Sequence, residues 1–133
     1  MWLLGARGGS GDLGRRGERK ARSLLRRKGL KILARNYRCP SGEIDLIALD
    51  RGTRRSLGTE TLVFVEVKTR TSDRYTDPAS AVNADKQRRV KKAASYYRHR
   101  RGASDLAVRY DVVSIVLPET GAMKLRHIED AFR

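Results

Sequence analysis

The sequence predicts an α/β fold, in which a mixed β-sheet is flanked by helices. Two segments repeat apolar residues at helical spacing, and five shorter segments are continuously apolar or alternate with period two. Their order along the chain is helix, three strands, helix and two strands, which is typical of an α/β sandwich. With 133 residues, the chain has the length of one domain and can bury a core.

The chain is expected to form one domain over residues 14–133, preceded by a glycine-rich flexible tail over residues 1–13. Its first residues contain too short an apolar run for a signal peptide, and no other stretch approaches the length of a membrane span. A lone cysteine, Cys39, excludes an internal disulfide. We therefore expect a cytoplasmic protein without a membrane partner.

The first helix is expected from about Arg15 to Lys28, because Gly29 suits a helix end. Leu24 and Leu25 share its apolar face with Ala21, and Glu18 lies at the edge of that face. Glu18 is therefore expected to point inward, away from the basic side of the helix.

Three strands are expected next, over Leu30–Tyr37, Glu43–Asp50 and Thr61–Thr69. The Pro- and Gly-containing segment 39–42 predicts a turn, and the polar segment 51–58 a long basic loop. Because the third strand is the most apolar, we expect it to be central and to form a hairpin with the second.

The second half of the chain predicts a long helix and two strands. Asp77 is the candidate N-cap, Pro78 occupies the first turn, and the helix runs to about Arg100. The strands are expected over Val108–Leu117 and, more briefly, Met123–Ile128.

The charge of the chain indicates a polyanionic partner. Thirty Lys and Arg face fifteen Asp and Glu, which gives a formal net charge of +15. Such an excess costs stability through self-repulsion unless a polyanion offsets it, and nucleic acid is the usual one. A basic protein of ribosomal type and an anionic membrane surface are the alternatives.

The third strand carries charges inside an apolar run. Glu66, Lys68 and Arg70 share one face by strand alternation. The opposite face carries Val63, Val65 and Val67. Buried charges are costly unless they are paired or bind a metal.

The second strand carries acids in the same way. Glu43 and Asp45 share one face. The other face is expected to carry Ile44, Leu46 and Ala48. If these strands are neighbours, Asp45 and Glu66 converge, and their repulsion calls for a cation.

Two carboxylates suit Mg²⁺ or Mn²⁺, whereas the chain lacks the Cys and His set that zinc requires. Such a metal polarises a phosphoryl oxygen and activates water, and Lys68 would orient that water. The alternative is purely structural: Glu66 pairs with Lys68 or Arg70, and Asp45 pairs with another base.

The two acidic segments, Gly42–Ala48 and Phe64–Arg70, resemble the PD-(D/E)XK signature of the restriction-endonuclease-like superfamily. The more detailed resemblance is to the YraN family, uncharacterised protein family 0102, over about residues 14–133. Further matching segments are Gly17-Glu18, Arg35-Asn36, Lys86, Arg109–Val113 and His127–Phe132. The signature's proline is absent, since the sequence reads Glu43-Ile44-Asp45.

This resemblance implies a three-layer α/β/α sandwich of the restriction-endonuclease-like type with a mixed central sheet. It implies that Asp45 and Glu66 bind the metal and that Lys68 assists the water. Archaeal Holliday-junction resolvases, related proteins, add a glutamate from the first helix, and Glu18 matches that position. The alternative for Glu18 is an acid favoured by the helix dipole.

Several basic residues flank this site. Arg54, Arg55, Arg70 and Arg74 are candidate phosphate contacts, with a solvated charged surface as the alternative. Lys86 lies on the apolar face of the long helix. It either reaches the site or a phosphate, or extends its stem along the core and puts its charge in water; we favour the second.

Other polar and aromatic residues are expected to be structural. Arg109 and Asp111, two residues apart on one strand face, predict a salt bridge. His99 and His127 are given no catalytic role, and Tyr96–Tyr97 are expected to pack rather than stack on bases.

The leading functional hypothesis is a metal-dependent endonuclease that hydrolyses phosphodiester bonds in DNA, favouring branched or junction DNA. Resolving a four-way junction needs two active sites and hence a homodimer. The alternatives are a catalytically silent protein that binds DNA or structured RNA, and an RNA-directed, ribosome-associated factor.

Overall fold

The computed structural model describes residues 12–52, 60–71 and 82–133 of the chain. The order of elements is the predicted one, helix, three strands, helix and two strands. They are α1 (Asp12–Arg27), β1 (Leu30–Cys39), β2 (Gly42–Asp50), β3 (Thr61–Arg70), α2 (Ala84–Arg100), β4 (Ala107–Val116) and β5 (Lys124–Phe132).

The five strands form one mixed sheet in the order β1-β2-β3-β4-β5, so the prediction of a central β3 is confirmed. β2 and β3 are antiparallel neighbours, as the predicted hairpin requires. β3 and β4 are parallel, since the chain between them crosses over through α2. The outer pairs, β1 with β2 and β4 with β5, are antiparallel.

The core has one apolar cluster on each face of the sheet. The cluster under α2 includes Ile47, Phe64, Val90, Tyr97 and Val112. The cluster under α1 includes Ala21, Leu25, Leu46, Val65 and Val113. Because the two helices pack on opposite faces, the protein is a three-layer α/β/α sandwich, and the predicted fold class is confirmed.

α1 begins at Asp12, three residues before the predicted start. Gly14 lies before the predicted helix and Gly17 within it, and both are buried on the inner stripe of α1. A Cβ at Gly17 would lie 2.0 Å from Thr69 Oγ1, so glycine allows α1 to approach β3 closely. Residues 1–11 lie outside the described part of the chain.

α2 begins at Ala84, and the predicted start at Asp77 is wrong. Its N-cap is Asn83, whose Oδ1 accepts a hydrogen bond from the Lys86 amide at 2.9 Å. Asn caps a helix as well as Asp does, so composition could not distinguish the two positions. Asp77 and Pro78 lie outside the described residues.

β5 extends to Phe132, four residues beyond its predicted end at Ile128. Glu129 and Asp130 look like the end of a strand in the sequence. The register with β4 shifts there, Asp130 adopts a positive φ of 53°, and Phe132 then pairs with Tyr110. This irregularity lets the strand continue.

Candidate active site

The candidate site lies where the hydrogen-bonded ladder between β2 and β3 ends. Its last pair is Leu46 with Val65, and the next residues along the two strands are Asp45 and Glu66. Asp45 Oδ2 accepts a hydrogen bond from the Val67 amide at 2.8 Å. The carboxylate therefore continues the contact between the strands where the backbone pairing stops.

The strict alternation predicted for β2 is wrong at Ile44. Ile44 packs in the cluster under α2, whereas Leu46 packs in the cluster under α1. Ile44 pairs with Tyr37 of β1, and Asn36, the residue before Tyr37, has a positive φ of 51°. Asp45 lies between Ile44 and Leu46, which pack on opposite faces, and is 4% exposed.

Glu66 is fully buried, with 0% of its surface exposed. Lys86 Nζ, from the first turn of α2, lies 3.5 Å from Glu66 Oε2, and the Lys86 side chain is 16% exposed. The favoured prediction that Lys86 puts its charge in water is therefore wrong, and the lysine reaches the site. The buried Glu66 carboxylate is stabilised by a nearby positive charge, which here is the Lys86 ammonium of α2.

Lys68 and Arg70 follow Glu66 along β3, and each is 2% exposed. Val63 and Val65 pack under α1, so the predicted separation of charged and apolar faces in β3 is confirmed for these valines. Arg70 was expected to flank the site as a phosphate contact, but it is buried within the sheet. Arg54, Arg55 and Arg74 lie outside the described residues.

Glu18 is half-buried on α1, as its place at the edge of the apolar face predicted. Its neighbour Gly17 touches Thr69, so this turn of α1 lies against the end of β3 that carries Lys68. Burial, with the charge of Arg35, lowers the pKa of Arg22, and Glu18 opposes that effect. The Glu18 carboxylate thus interacts electrostatically with Arg22 of the same helix.

The donor chemistry of Asp45 and Glu66 fits Mg²⁺ or Mn²⁺. Mg²⁺ is commonly held by one or two carboxylates, with water and substrate phosphate filling its other positions. Within residues 12–52, 60–71 and 82–133, no group of three or more His, Cys, Asp or Glu side chains is arranged to hold a metal ion. The two carboxylates therefore match a site that needs substrate and water for completion, rather than an all-protein cage.

Known relatives share this chain's sequence over nearly its whole length. A UPF0102 protein of Pelobacter propionicus is 42% identical over 127 residues, which cover 96% of this chain and 86% of the relative. A UPF0102 protein of Symbiobacterium thermophilum is 45% identical over 120 residues, covering 90% and 95% respectively. The model of uncharacterised protein family UPF0102 matches residues 17–115. The chain belongs to the UPF0102 family.

The region matched by the UPF0102 model contains all of Glu18, Asp45, Glu66, Lys68 and Lys86. The candidate site is therefore built from the part of the chain that defines the family. His127, on β5, lies beyond the matched region.

This UPF0102 member also contains a buried ion network centred on Asp111 of β4. Arg109 Nε and Nη2 donate to the two Asp111 oxygens at 2.9 and 3.0 Å, so the predicted salt bridge is confirmed. Arg109 Nη1 also donates to Asp50 Oδ2 at 2.9 Å. Because Arg109 and Asp111 pair with Val63 and Val65, the network lies nearer the start of β3 than Glu66 does.

His127 joins this network, which the sequence did not predict. Its Nε2 lies 2.7 Å from Asp111 Oδ2, and its Nδ1 lies 2.9 Å from Lys28 Nζ. An ammonium only donates and a carboxylate only accepts, so these contacts suit the tautomer in which His127 Nε2 donates to Asp111 and Nδ1 accepts from Lys28. Burial alone would raise the pKa of Asp111, but hydrogen bonds from His127 and Arg109 hold it below its usual range.

Both helices of the UPF0102 fold present basic outer faces. The exposed basic residues are Arg15, Arg16, Arg19, Lys20, Arg26 and Arg27 on α1, and Arg88, Arg89, Lys92 and Arg100 on α2. No helix in the described ranges has the length and apolar character needed to cross a membrane. The outer faces instead suit a polyanion.

Proposed function

We propose that this protein is a divalent-metal-dependent endonuclease that hydrolyses phosphodiester bonds in DNA. The observation that carries the proposal is the meeting of Asp45 and Glu66 at the point where two neighbouring strands lose their backbone pairing. Lys68 follows Glu66 by two residues on β3. This arrangement supports the resemblance to the PD-(D/E)XK superfamily.

Asp45 and Glu66 would hold the metal. When bound, such an ion supplies charge that polarises a phosphoryl oxygen and lowers the pKa of a coordinated water. The amide of Val67 fixes Asp45 through Oδ2 and so orients the remaining oxygen of that carboxylate. A preorganised ligand needs little rearrangement when the cation arrives.

Lys68 would orient the attacking water and stabilise the negative charge that develops on the phosphate. Its ammonium is almost entirely buried, and an electrostatic interaction is stronger where water is excluded. Lys86 places an ammonium 3.5 Å from Glu66 and offsets the cost of burying this carboxylate while no metal is bound.

The substrate class follows from charge. The formal net charge of +15 and the exposed basic residues of α1 and α2 would contact phosphates without reading sequence. We favour DNA of branched structure, cleaved in the cytoplasm, with a homodimer if two strands of a junction are cut.

A catalytically silent protein that binds DNA or structured RNA is the second candidate. The contact between Lys86 and Glu66 favours it, because an ammonium already balances the buried carboxylate. This candidate predicts salt-dependent binding without cleavage.

Cleavage of labelled duplex, flap, four-way-junction and single-stranded DNA, and of RNA, distinguishes the candidates when Mg²⁺ or Mn²⁺ is supplied. We expect the wild type and Glu129→Gln, an exposed acid on β5, to cut at least one DNA substrate. Asp45→Asn, prepared identically, should not cut. Cleavage by Asp45→Asn at the wild-type rate would trace the activity to a contaminant, and tight binding without cleavage would favour the silent protein.

A further inference from the structure

A cleft of about 430 Å³ lies between the β1–β2 turn and the end of α2, and none of Asp45, Glu66, Lys68 and Lys86 lines it. Its walls include Tyr37, Arg38 and Pro40 on one side and Tyr96, Arg100 and Arg101 on the other. The volume is within the range of small-ligand sites. A ligand of one or two rings with a phosphate would fit.

The chemistry of the cleft is cationic and aromatic. Arg100 Cζ lies 5.7 Å from the centre of the Tyr96 ring. None of the described residues that line the cleft is acidic. At its rim Arg38 Nε is 3.6 Å from Glu43 Oε1, but both side chains are exposed, so this pair is weak.

One aromatic wall of the cleft is held rigidly by the core. Tyr37 and Tyr97 meet edge to face with ring centres 5.2 Å apart, and Tyr97 is buried. The adjacent Tyr96 is half-buried instead, so part of its ring is open to a ligand. The expectation that this pair packs is confirmed for Tyr97, which is buried, and stays a prediction for Tyr96.

A basic stripe on α2 connects the cleft with the candidate active site. Arg89, Lys92, Tyr96 and Arg100 follow one another at spacings of three or four residues, which puts them on one side of the helix. From Lys86 to Arg100 the helix rises by about 21 Å at 1.5 Å per residue. A nucleic-acid strand that follows this stripe would pass from Glu66 to the cleft.

We propose that this cleft binds an unpaired nucleotide of a nucleic-acid ligand. Its base stacks against Tyr96, and its phosphate is held by Arg100 and Arg101. Base–aromatic stacking tolerates any sequence, and guanidinium groups bind phosphate with two donors or stack on bases. A base inside a duplex has no free face for Tyr96, so the cleft selects single-stranded flanks. The proposal rests on the nucleic-acid partner of the proposed function, but not on cleavage.

The test measures binding in EDTA, where the outcome does not depend on metal or catalysis. The probe is a duplex with a short overhang that carries 2-aminopurine, compared with the same duplex blunt-ended. We expect stacking to quench 2-aminopurine, and Tyr96→Ala to abolish the quench and weaken overhang binding at least about five-fold. Binding of the blunt duplex should not change, and Tyr96→Phe should behave as wild type.

The proposed contact between Arg100 and a phosphate is tested separately with Arg100→Ala. This variant should lower the slope of log affinity against log salt by about 0.7 for the overhang, as expected for one lost phosphate contact on a single strand. Arg126→Ala, an exposed arginine on β5 at the opposite sheet edge, removes the same charge elsewhere. It should leave the quench of 2-aminopurine intact.

Melting temperatures check that the variants fold. If Tyr96→Ala melts lower, Tyr96→Leu fills the space without a ring and must give the same loss. The overhang is made once of DNA and once of RNA, because either could supply the unpaired nucleotide. Quenching that depends on Tyr96 with either overhang supports the proposed binding in the cleft. Wild-type quenching and affinity in Tyr96→Ala, or equal loss for the blunt duplex, would overturn the proposal.

Discussion

The Asp111 network makes a strong prediction about stability, which Asp111→Asn tests. The substitution keeps the shape of the side chain but replaces one acceptor oxygen with a donor and removes the charge. Asp111 is fully buried and receives hydrogen bonds from Arg109, His127 and the Asp130 amide. An amide nitrogen in either position would face another donor.

The expected cost follows from these contacts. Removing one partner of a buried ion pair lowers the free energy of unfolding by about 3 to 5 kcal/mol. We expect the lower value because Arg109 keeps Asp50 as a partner. For 133 residues, an unfolding entropy of about 2.1 cal/mol/K per residue makes each kcal/mol worth about 3.6 °C. The melting temperature should therefore fall by about 11 °C.

The loss of stability caused by Asp111→Asn should also depend on pH. Because the pKa of Asp111 is lower in the folded than in the unfolded state, its stabilisation is fully present above about pH 3.9. It is lost as the pH falls through the folded-state pKa. The difference between wild type and Asp111→Asn should thus be constant from pH 5 to 7 and shrink on further acidification.

Calorimetry at several pH values measures this difference, with Asp130→Asn as the matched control. Asp130 is an exposed neighbour that pairs with Arg133, and asparagine tolerates its positive φ. The control should melt within about 2 °C of wild type. An Asp111→Asn variant as stable as this control, or a gap that does not narrow in acid, would refute the reasoning.

Three further predictions concern the helices and the acid pair. Glu66→Gln should weaken Mn²⁺ binding at least tenfold by calorimetric titration, and an unaltered titration would favour a purely structural ion pair. Lys86→Gln should strengthen Mn²⁺ binding in the same titration, because it removes the ammonium that competes for Glu66; weaker binding would contradict that role. Gly17→Ala should destabilise the fold by about 1 to 3 kcal/mol in urea, because its Cβ would overlap Thr69, and adding Thr69→Ala should recover most of the loss. A neutral Gly17→Ala would contradict the close contact between α1 and β3.

The sheet and its acid pair were predictable because they depend on short-range pattern. The continuous apolar run of β3 predicted a central strand, and period-two alternation separated Glu66 from Val65. With β2 and β3 as neighbours, Asp45 and Glu66 could converge, and the observed register brings them together at the end of the ladder. These inferences need no knowledge of how distant segments pack.

The features that were missed depend on contacts between segments far apart in sequence. Lys86 has the same helical position whether its ammonium reaches water or Glu66, and the packing of α2 on the sheet decides between them. His127 meets Lys28, 99 residues earlier, through the pairing of β4 and β5 and the end of α1. The contact of Gly17 with Thr69 was missed because a glycine has no side chain to add to the apolar periodicity of a helix.

The most direct test of the central claim is single-turnover DNA cleavage by Lys68→Ala at a metal occupancy matched to wild type. Electron paramagnetic resonance of bound Mn²⁺ sets the occupancy, and anisotropy shows that substrate is bound. We predict that Lys68→Ala binds metal and DNA as the wild type does and cuts at least about a hundredfold more slowly. Equal cleavage by both proteins would contradict the role of Lys68, and no cleavage by fully loaded wild type would contradict the nuclease itself.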